Sequence, residues 1–254
     1  MEQADFLKEG EHIDDLQRDG LRIIQRRGGF SFGVDSVLIA NFSEVRPGER
    51  VLDIGSGTGI IPILLSAKTE AACITGVEIQ PEMADMAQRS VRMNGLEDRI
   101  EILQQDIKDY ALSHRSKFHV AVSNPPYFKA GGALISENDS KMISRHELKL
   151  NVFELFEAAS RVLLPKGRFY LIHRPDRLVD ICCAARASKL EIKRAKMVYS
   201  VQGEAPKLII LECIKGAGSE IKWRKPLVIY EADGNYSQDI YAIYQNARIT
   251  SFEA

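Results

Sequence analysis

Four consecutive residues, Asn124-Pro125-Pro126-Tyr127, combine an amide, two imino acids of fixed φ and an aromatic ring. That set suits chemistry on a flat amine. An exocyclic amino group or an amide nitrogen is a poor nucleophile because its lone pair is delocalised. Two acceptors aimed at its N–H bonds favour pyramidalisation and release the lone pair. Asn124 offers its side-chain carbonyl and Pro125 its backbone carbonyl. Both bind more strongly as the nitrogen gains positive charge, which is preorganised transition-state stabilisation. The prolines hold the geometry, and Tyr127 presents a face on which a planar group can stack. Taken alone, the motif also fits a rigid turn that ends a strand.

A second constellation lies upstream. Asp53-Ile54-Gly55-Ser56-Gly57-Thr58-Gly59 follows a run that reads as a strand and opens one that reads as a helix. Glycines at such a junction allow a tight turn and close approach of backbone to a ligand. Dinucleotide loops space them G-x-G-x-x-G to seat a pyrophosphate on the helix N-terminus. Here the spacing is G-x-G-x-G with Asp53 ahead of it, and a carboxylate there would repel a pyrophosphate. It suits the ammonium of S-adenosylmethionine (SAM). Glu78 ends the next strand, where a carboxylate can accept both ribose hydroxyls. Asp106 follows the third strand, where one can take the adenine amino group. The expected cofactor set is therefore Asp53, Gly55, Ser56, Gly57, Gly59, Glu78, Asp106, the neighbouring Ile79 and Ile107, and Asn124. The chemistry needs in-line placement of nitrogen, methyl and sulfur; a metal and a covalent enzyme intermediate are not expected.

These residues must be held by alternating strands and helices. Arg50–Gly55, Cys73–Ile79, Ile100–Gln104, His119–Ser123 and Arg168–His173 read as strands. Ile60–Lys68, Pro81–Asn94, Val152–Leu164 and Pro175–Ser188 read as helices. Ile192–Ser200 and Leu208–Lys215 then follow without a helix between them, which predicts an antiparallel pair at one end of the sheet. The expected fold is an α/β, Rossmann-like, mostly parallel seven-stranded sheet with an antiparallel C-terminal hairpin and helices on both faces. Residues 1–49 precede it as a cap, with Leu21–Gln25 a short strand and Val34–Phe42 an apolar helix near the cofactor pocket. Residues 50–216 form the main domain. The tail, 217–254, packs on that domain and holds the only tryptophan, Trp223.

With 45% hydrophobic and 27% charged residues, the 254-residue chain has ordinary globular composition. The N-terminus does not read as a leader, and no run approaches a membrane span. The four cysteines lack metal-like spacing, so reduced thiols and a cytoplasmic location are expected. Net charge is −1, with acidic side chains in excess in the first half and basic ones in the second. An anionic partner would meet that basic half. Candidate positions are Arg22, Arg26 and Arg27, then Arg186, Lys189, Lys193, Arg194 and Lys196, then Lys222, Arg224 and Lys225.

Through DIGSGTG (53–59), GVEIQ (76–80), QQD (104–106) and SNPPY (123–127), the sequence resembles the class I SAM-dependent amino-N methyltransferases. Residues 14–216 are similar to one subgroup, the small bacterial tRNA(Val) adenine N6-methyltransferase-like proteins, which modify the adenine beside the anticodon. Phe30–Ala40 looks like the subgroup's pre-domain helix; the resemblance implies that Asp35, with Gly33, closes over the cofactor. The Arg145-His146-Glu147 element is also similar. It implies substrate contacts from Arg145 and His146, joined by Tyr127 and Phe128.

N6 methylation of adenine in structured RNA, a tRNA above all, is thus the leading expectation. A protein-glutamine methyltransferase poses the same chemical problem, but such enzymes carry a sizeable helical domain ahead of the glycine loop. A DNA adenine methyltransferase would need a separate target-recognition region. A SAM-binding module without catalysis is the reading from a different class. Lys129–Ser144, directly after the Pro-Pro loop, is expected to act as a flap over the target base.

Overall fold

The computed structural model describes residues 6–26, 33–126 and 150–244. A two-stranded hairpin, β1 (Glu11–Asp15) and β2 (Arg22–Arg26), comes first, followed by helix α1 (Val34–Phe42). The main body then runs β3 (Arg50–Ile54), α2 (Ile60–Lys68), β4 (Cys73–Glu78), α3 (Pro81–Met93), β5 (Ile100–Gln104), α4 (Ile107–Ser113) and β6 (Phe118–Ser123). It continues through α5 (Val152–Val162), β7 (Leu163–His173), α6 (Leu178–Ala187), β8 (Leu190–Val201) and β9 (Leu208–Lys215). Short strands β10 (Lys222–Trp223) and β11 (Leu227–Tyr230) and helix α7 (Gln238–Tyr244) complete the described chain.

Strand order across the large sheet is β10-β8-β9-β7-β6-β3-β4-β5, with β11 also paired to β8. Every pairing is parallel except those of β9, which lies antiparallel between β7 and β8. The sheet has nine strands where the sequence predicts seven. Its seven central strands are the predicted ones, and β10 and β11 add a broken edge along β8. At two and four residues, those edge strands are too short for periodicity to announce them.

Neighbouring strand residues alternate between two apolar layers, as a period of two requires. Val51, Ile74, Val120, Tyr170 and Ile210 pack under α1, α2 and α3. Leu52, Val77, Ala121, Phe169 and Leu211 pack under α4, α5 and α6. With both faces covered, the central strands are continuous apolar runs, as parallel sheets demand.

Several predicted boundaries move: α6 begins at Leu178 instead of Pro175, and β8 at Leu190 instead of Ile192. Helix α5 stops at Val162 instead of Leu164, and β7 begins at Leu163 through a Pro165-Lys166-Gly167 irregularity. Helix α4 was not anticipated. Its seven residues give less than two full turns, and its start signal, Asp106, reads equally as a ligand group.

The N-terminal hairpin docks on α3 through buried polar contacts. Ile24 N–H donates to Ser90 Oγ (3.0 Å), and Arg22 N–H donates to Asn94 Oδ1 (3.0 Å). The Arg89 guanidinium pairs with Glu11 (2.6 and 2.7 Å). No helix among the described residues is long and apolar enough to cross a membrane. All four cysteines are free thiols, and Cys213 is buried.

Candidate active site

At the carboxyl end of β3 the chain must turn sharply into α2. Gly55, Gly57 and Gly59 take φ of +74°, +54° and +89°, values that cost an L-residue with a side chain about 1–2 kcal/mol. Gly59 has a second constraint: a Cβ there would sit 3.0 Å from the Ala87 Cβ of α3. The turn is anchored by Gly55 N–H and Ser56 N–H, both donating to Val77 O (2.9 and 3.2 Å). Gly76, on β4, makes room for Ser56, since a Cβ there would stand 2.9 Å from Ser56 Oγ.

Two carboxylates border this turn, Asp53 and Glu78, and a third, Asp106, follows β5 beyond β4. Asp53 is fully buried, and neither of its oxygens has a hydrogen-bond partner among the described residues. Burial pushes its carboxyl well above the usual range, and the nearby Glu78 charge adds to the shift. Ser56 Oγ is also buried without a hydrogen-bond partner among the described residues. Glu78 Oε2 accepts from Gly57 N–H (2.9 Å) and Oε1 from Gln80 N–H (2.9 Å). Those bonds shape the loop and still leave a carboxylate capacity for ribose hydroxyls, since it has about four acceptor sites. Asp106 Oδ1 accepts Lys108 N–H (2.8 Å) and so caps α4. Ile79 is half-buried beside Glu78, and Ile107 is buried in the first turn of α4.

This donor set fits SAM. An orphaned buried carboxylate is a site for a cation, and glycine-rich backbone at a helix N-terminus is a site for a carboxylate. SAM carries both in its amino acid end.

The Asn-Pro-Pro segment emerges from β6, immediately beside β3. Ser123, buried, donates its hydroxyl to Ile54 O (2.8 Å), which ties the end of one strand to the end of the other. Asn124 is therefore held next to the glycine turn. Its amide Nδ2 donates to Ser36 Oγ (2.9 Å) on α1. Asn124 and Pro125 are half-buried, and Pro126 is exposed. Gly33 precedes α1, and Asp35 turns its own Oδ1 back on Ser36 N–H (3.1 Å). Thus Gly33, Asp35, Asp53, Glu78, Asp106 and Asn124 lie on segments at the carboxyl ends of neighbouring strands or on α1 beside them. Tyr127, Phe128, Arg145, His146 and the Lys129–Ser144 segment lie outside the described residues.

Two features escaped sequence reasoning. Ser36 meets Asn124 from 88 positions away, and no local pattern signals that. His173 closes β7, the neighbour of β6; its Nδ1 accepts Arg174 N–H (2.8 Å), and burial pushes its pKa down.

Of the basic group 186–196, Arg194 and Lys196 are held inside the protein by neighbours, whereas Arg186, Lys189 and Lys193 stay at the surface. Arg194 is ion-paired to both Glu212 and Glu44. Lys196 is buried with its ammonium 4.6 Å from the Phe42 ring centroid. Lys193 donates to Gly218 O and Ser219 O, and Arg186 pairs with Glu191. Arg26 pairs with Glu82 (3.0 Å), and Arg27 is outside the described residues. Lys189, Lys222 and Lys225 remain exposed.

Residues 21–180 match the family model described as the methyltransferase small domain. A protein of Porphyromonas gingivalis named tRNA1(Val) (adenine(37)-N6)-methyltransferase is 33% identical over 231 residues, covering 87% of this chain and 89% of that one. One of the same name from Tolumonas auensis is 29% identical, covering 87% and 91%. Among solved structures, a predicted O-methyltransferase of Agrobacterium tumefaciens superposes with a TM-score of 0.69 at 23% identity, covering 84% of this chain and 96% of that one. TrmN from Thermus thermophilus gives 0.53 at 19% identity, over 71% of this chain and 48% of its own. The last two are likenesses of fold alone.

Proposed function

The chain belongs to the methyltransferase small domain family, and from that premise we propose that it transfers the methyl group of SAM to the N6 amino group of adenine in structured RNA, a tRNA. The observation that carries the reading is the placement of Asn124 and Pro125 at the end of β6, joined to the glycine turn through Ser123 and Ile54. The names borne by the relatives from Porphyromonas gingivalis and Tolumonas auensis support the acceptor.

SAM supplies an electrophilic methyl group next to a positive sulfur. The chain does the rest. Asp53 receives the ammonium, Glu78 the ribose, and the segment at Asp106 and Ile107 borders the adenine. Gly33 and Asp35, at the start of α1, close the pocket from the other side. Asn124 and Pro125 accept the two N–H bonds of the target amine, orient its lone pair and stabilise the charge that develops on nitrogen. Tyr127, Phe128, Arg145 and His146 are assigned to the base and its flanking RNA. The spent proton leaves to solvent, so no dedicated base is required.

The test presents the purified chain with methyl-labelled SAM and separate pools of tRNA, rRNA, DNA and release factor. Label in tRNA, recovered as N6-methyladenosine by nucleoside mass spectrometry, is the expected result. Label confined to protein would instead support glutamine methylation and overturn the RNA reading.

A further inference from the structure

The segment after β9 has two faces. Inward, Leu227, Ile229, Ile240 and Ile243 are buried. Outward, Lys222, Trp223 and Lys225 are exposed along the edge of the sheet, followed by Tyr230 at the end of β11 and by Tyr236 and Tyr241. Trp223 keeps 54% of its surface in solvent. The tyrosines touch one another: Tyr236 stacks on Tyr230 with ring centroids 5.3 Å apart and meets Tyr241 edge-on at 6.1 Å.

A sheet edge invites pairing with another chain, and short strands, lysines and proline suppress it. The two-residue length of β10, Lys222, Lys225 and Pro226 do so here. Edge protection accounts for the charges but not for the rings, because an exposed tryptophan makes an edge stickier. Lysines interleaved with open aromatic faces suit a nucleic acid, whose phosphates meet the ammonium groups and whose unpaired bases stack on the rings. The carboxylates of the segment leave room for one. Asp233 accepts Asn235 N–H (3.0 Å) and Nδ2 (2.9 Å), the Asp239 charge acts on buried Lys196, and Glu220 and Glu231 stand at the two ends of the strip.

The topology relates this strip to the catalytic loop. Strands β6, β7, β8 and β11 all run the same way, with β9 reversed among them. Tyr230, in register with Val201, therefore stands at the carboxyl rim that also carries Asn124. Four strand spacings separate β6 from β11, about 19 Å at ~4.8 Å each. Trp223, in register with Ala195, lies six positions down β8 from Val201, about 20 Å below the rim. We propose that Lys222, Trp223, Lys225, Tyr230, Tyr236 and Tyr241 form a docking surface for the substrate RNA outside the methyl-transfer pocket, an inference that rests on the RNA reading of the function. The strip holds RNA that flanks the target adenine, through backbone phosphates and stacked bases.

Trp223 is the only tryptophan of the chain, so its fluorescence reports on the strip itself. The full wild-type chain is titrated with unmodified tRNA while Trp223 emission is followed, and Kd is measured separately by filter binding across salt concentrations. Quenching with a midpoint that matches the filter-binding Kd is expected. Trp223→Ala should weaken tRNA binding on the order of 5- to 100-fold, the worth of one stacked base. Lys222→Ala combined with Lys225→Ala should weaken it too and lower the salt slope by about 1 per lysine. SAM affinity and melting temperature should stay near wild type in each variant, since the replaced side chains are exposed. Emission that stays constant while tRNA binds, or variants that hold tRNA as tightly as wild type, would overturn the proposal. A dimer in sedimentation without RNA that Trp223→Ala dissolves would overturn it in favour of a second copy of the chain. Quenching by tRNA without any methyl transfer to it would instead sink the proposed function and leave the docking surface standing.

Discussion

A carboxylate sealed from water with no donor beside it is unstable as an anion, and among the described residues Asp53 is in that position. Its raised pKa has a definite sign. An acid that holds its proton more tightly when folded favours the folded state at low pH. Stability is then lost as pH climbs from the ordinary carboxylate range through the raised folded value. A cation in the pocket removes the penalty. Asp53→Asn is therefore expected to raise the melting temperature of the ligand-free protein at neutral pH and to flatten this pH dependence. The same substitution should weaken SAM binding roughly 10- to 100-fold, the worth of a charge-assisted hydrogen bond. Melts across pH and calorimetric titration check both halves; unchanged SAM affinity would remove Asp53 from the cofactor site.

At the scale of elements, α1 matters because it carries Gly33, Asp35 and Ser36 up to the site. Its anchor is a charged network. Arg194 pairs with Glu212, which is buried on β9, and with Glu44 just past α1; Tyr170 OH donates to Glu212 (3.0 Å). Removing Arg194 strands a buried carboxylate, so Arg194→Ala should cost about 3–5 kcal/mol in a denaturant melt. The hydrogen bond from Arg194 holds the Glu44 carboxyl below its ordinary pKa. Its contribution is complete above the unfolded pKa and is lost as pH falls through the folded one. Acid sensitivity of α1 docking is the expected signature, and Glu44→Gln should blunt it. The seven central strands and most helices were legible in the sequence because each is a long apolar run or a periodic one. Helix α4 was not, because Asp106 serves as its N-cap, and one carboxylate carries the same signal for a cap as for a ligand. The inward turn of Arg194 was not legible, because charge is visible in sequence whereas its partner Glu44 is distant along the chain. Ser36 was hidden for the same reason.

For the whole molecule, the C-terminal segment is part of the core. Leu227, Ile229, Ile240 and Ile243 are buried in the apolar layer that includes α1 and α2. Fully burying four such side chains is worth on the order of 6–12 kcal/mol before the entropy of ordering the segment. Domains are stable by only about 5–15 kcal/mol. A chain ending at residue 216 is therefore expected to be poorly folded, with a lowered or absent cooperative melt; a truncated chain that melts like the full one would show the segment to be dispensable. Ligand linkage acts on the same scale. SAM at about 100 times its Kd should add roughly 2.7 kcal/mol of stability, an increment that Asp53→Asn should diminish.

The central claim is that two carbonyl oxygens beside the cofactor make a reluctant amine attack. Single-turnover methyl transfer to tRNA by Asn124→Ala, under saturating SAM and RNA, addresses it most directly. The account predicts a loss on the order of 10²- to 10³-fold in the chemical step, with the melting temperature close to wild type. A rate equal to that of the wild-type chain would contradict it.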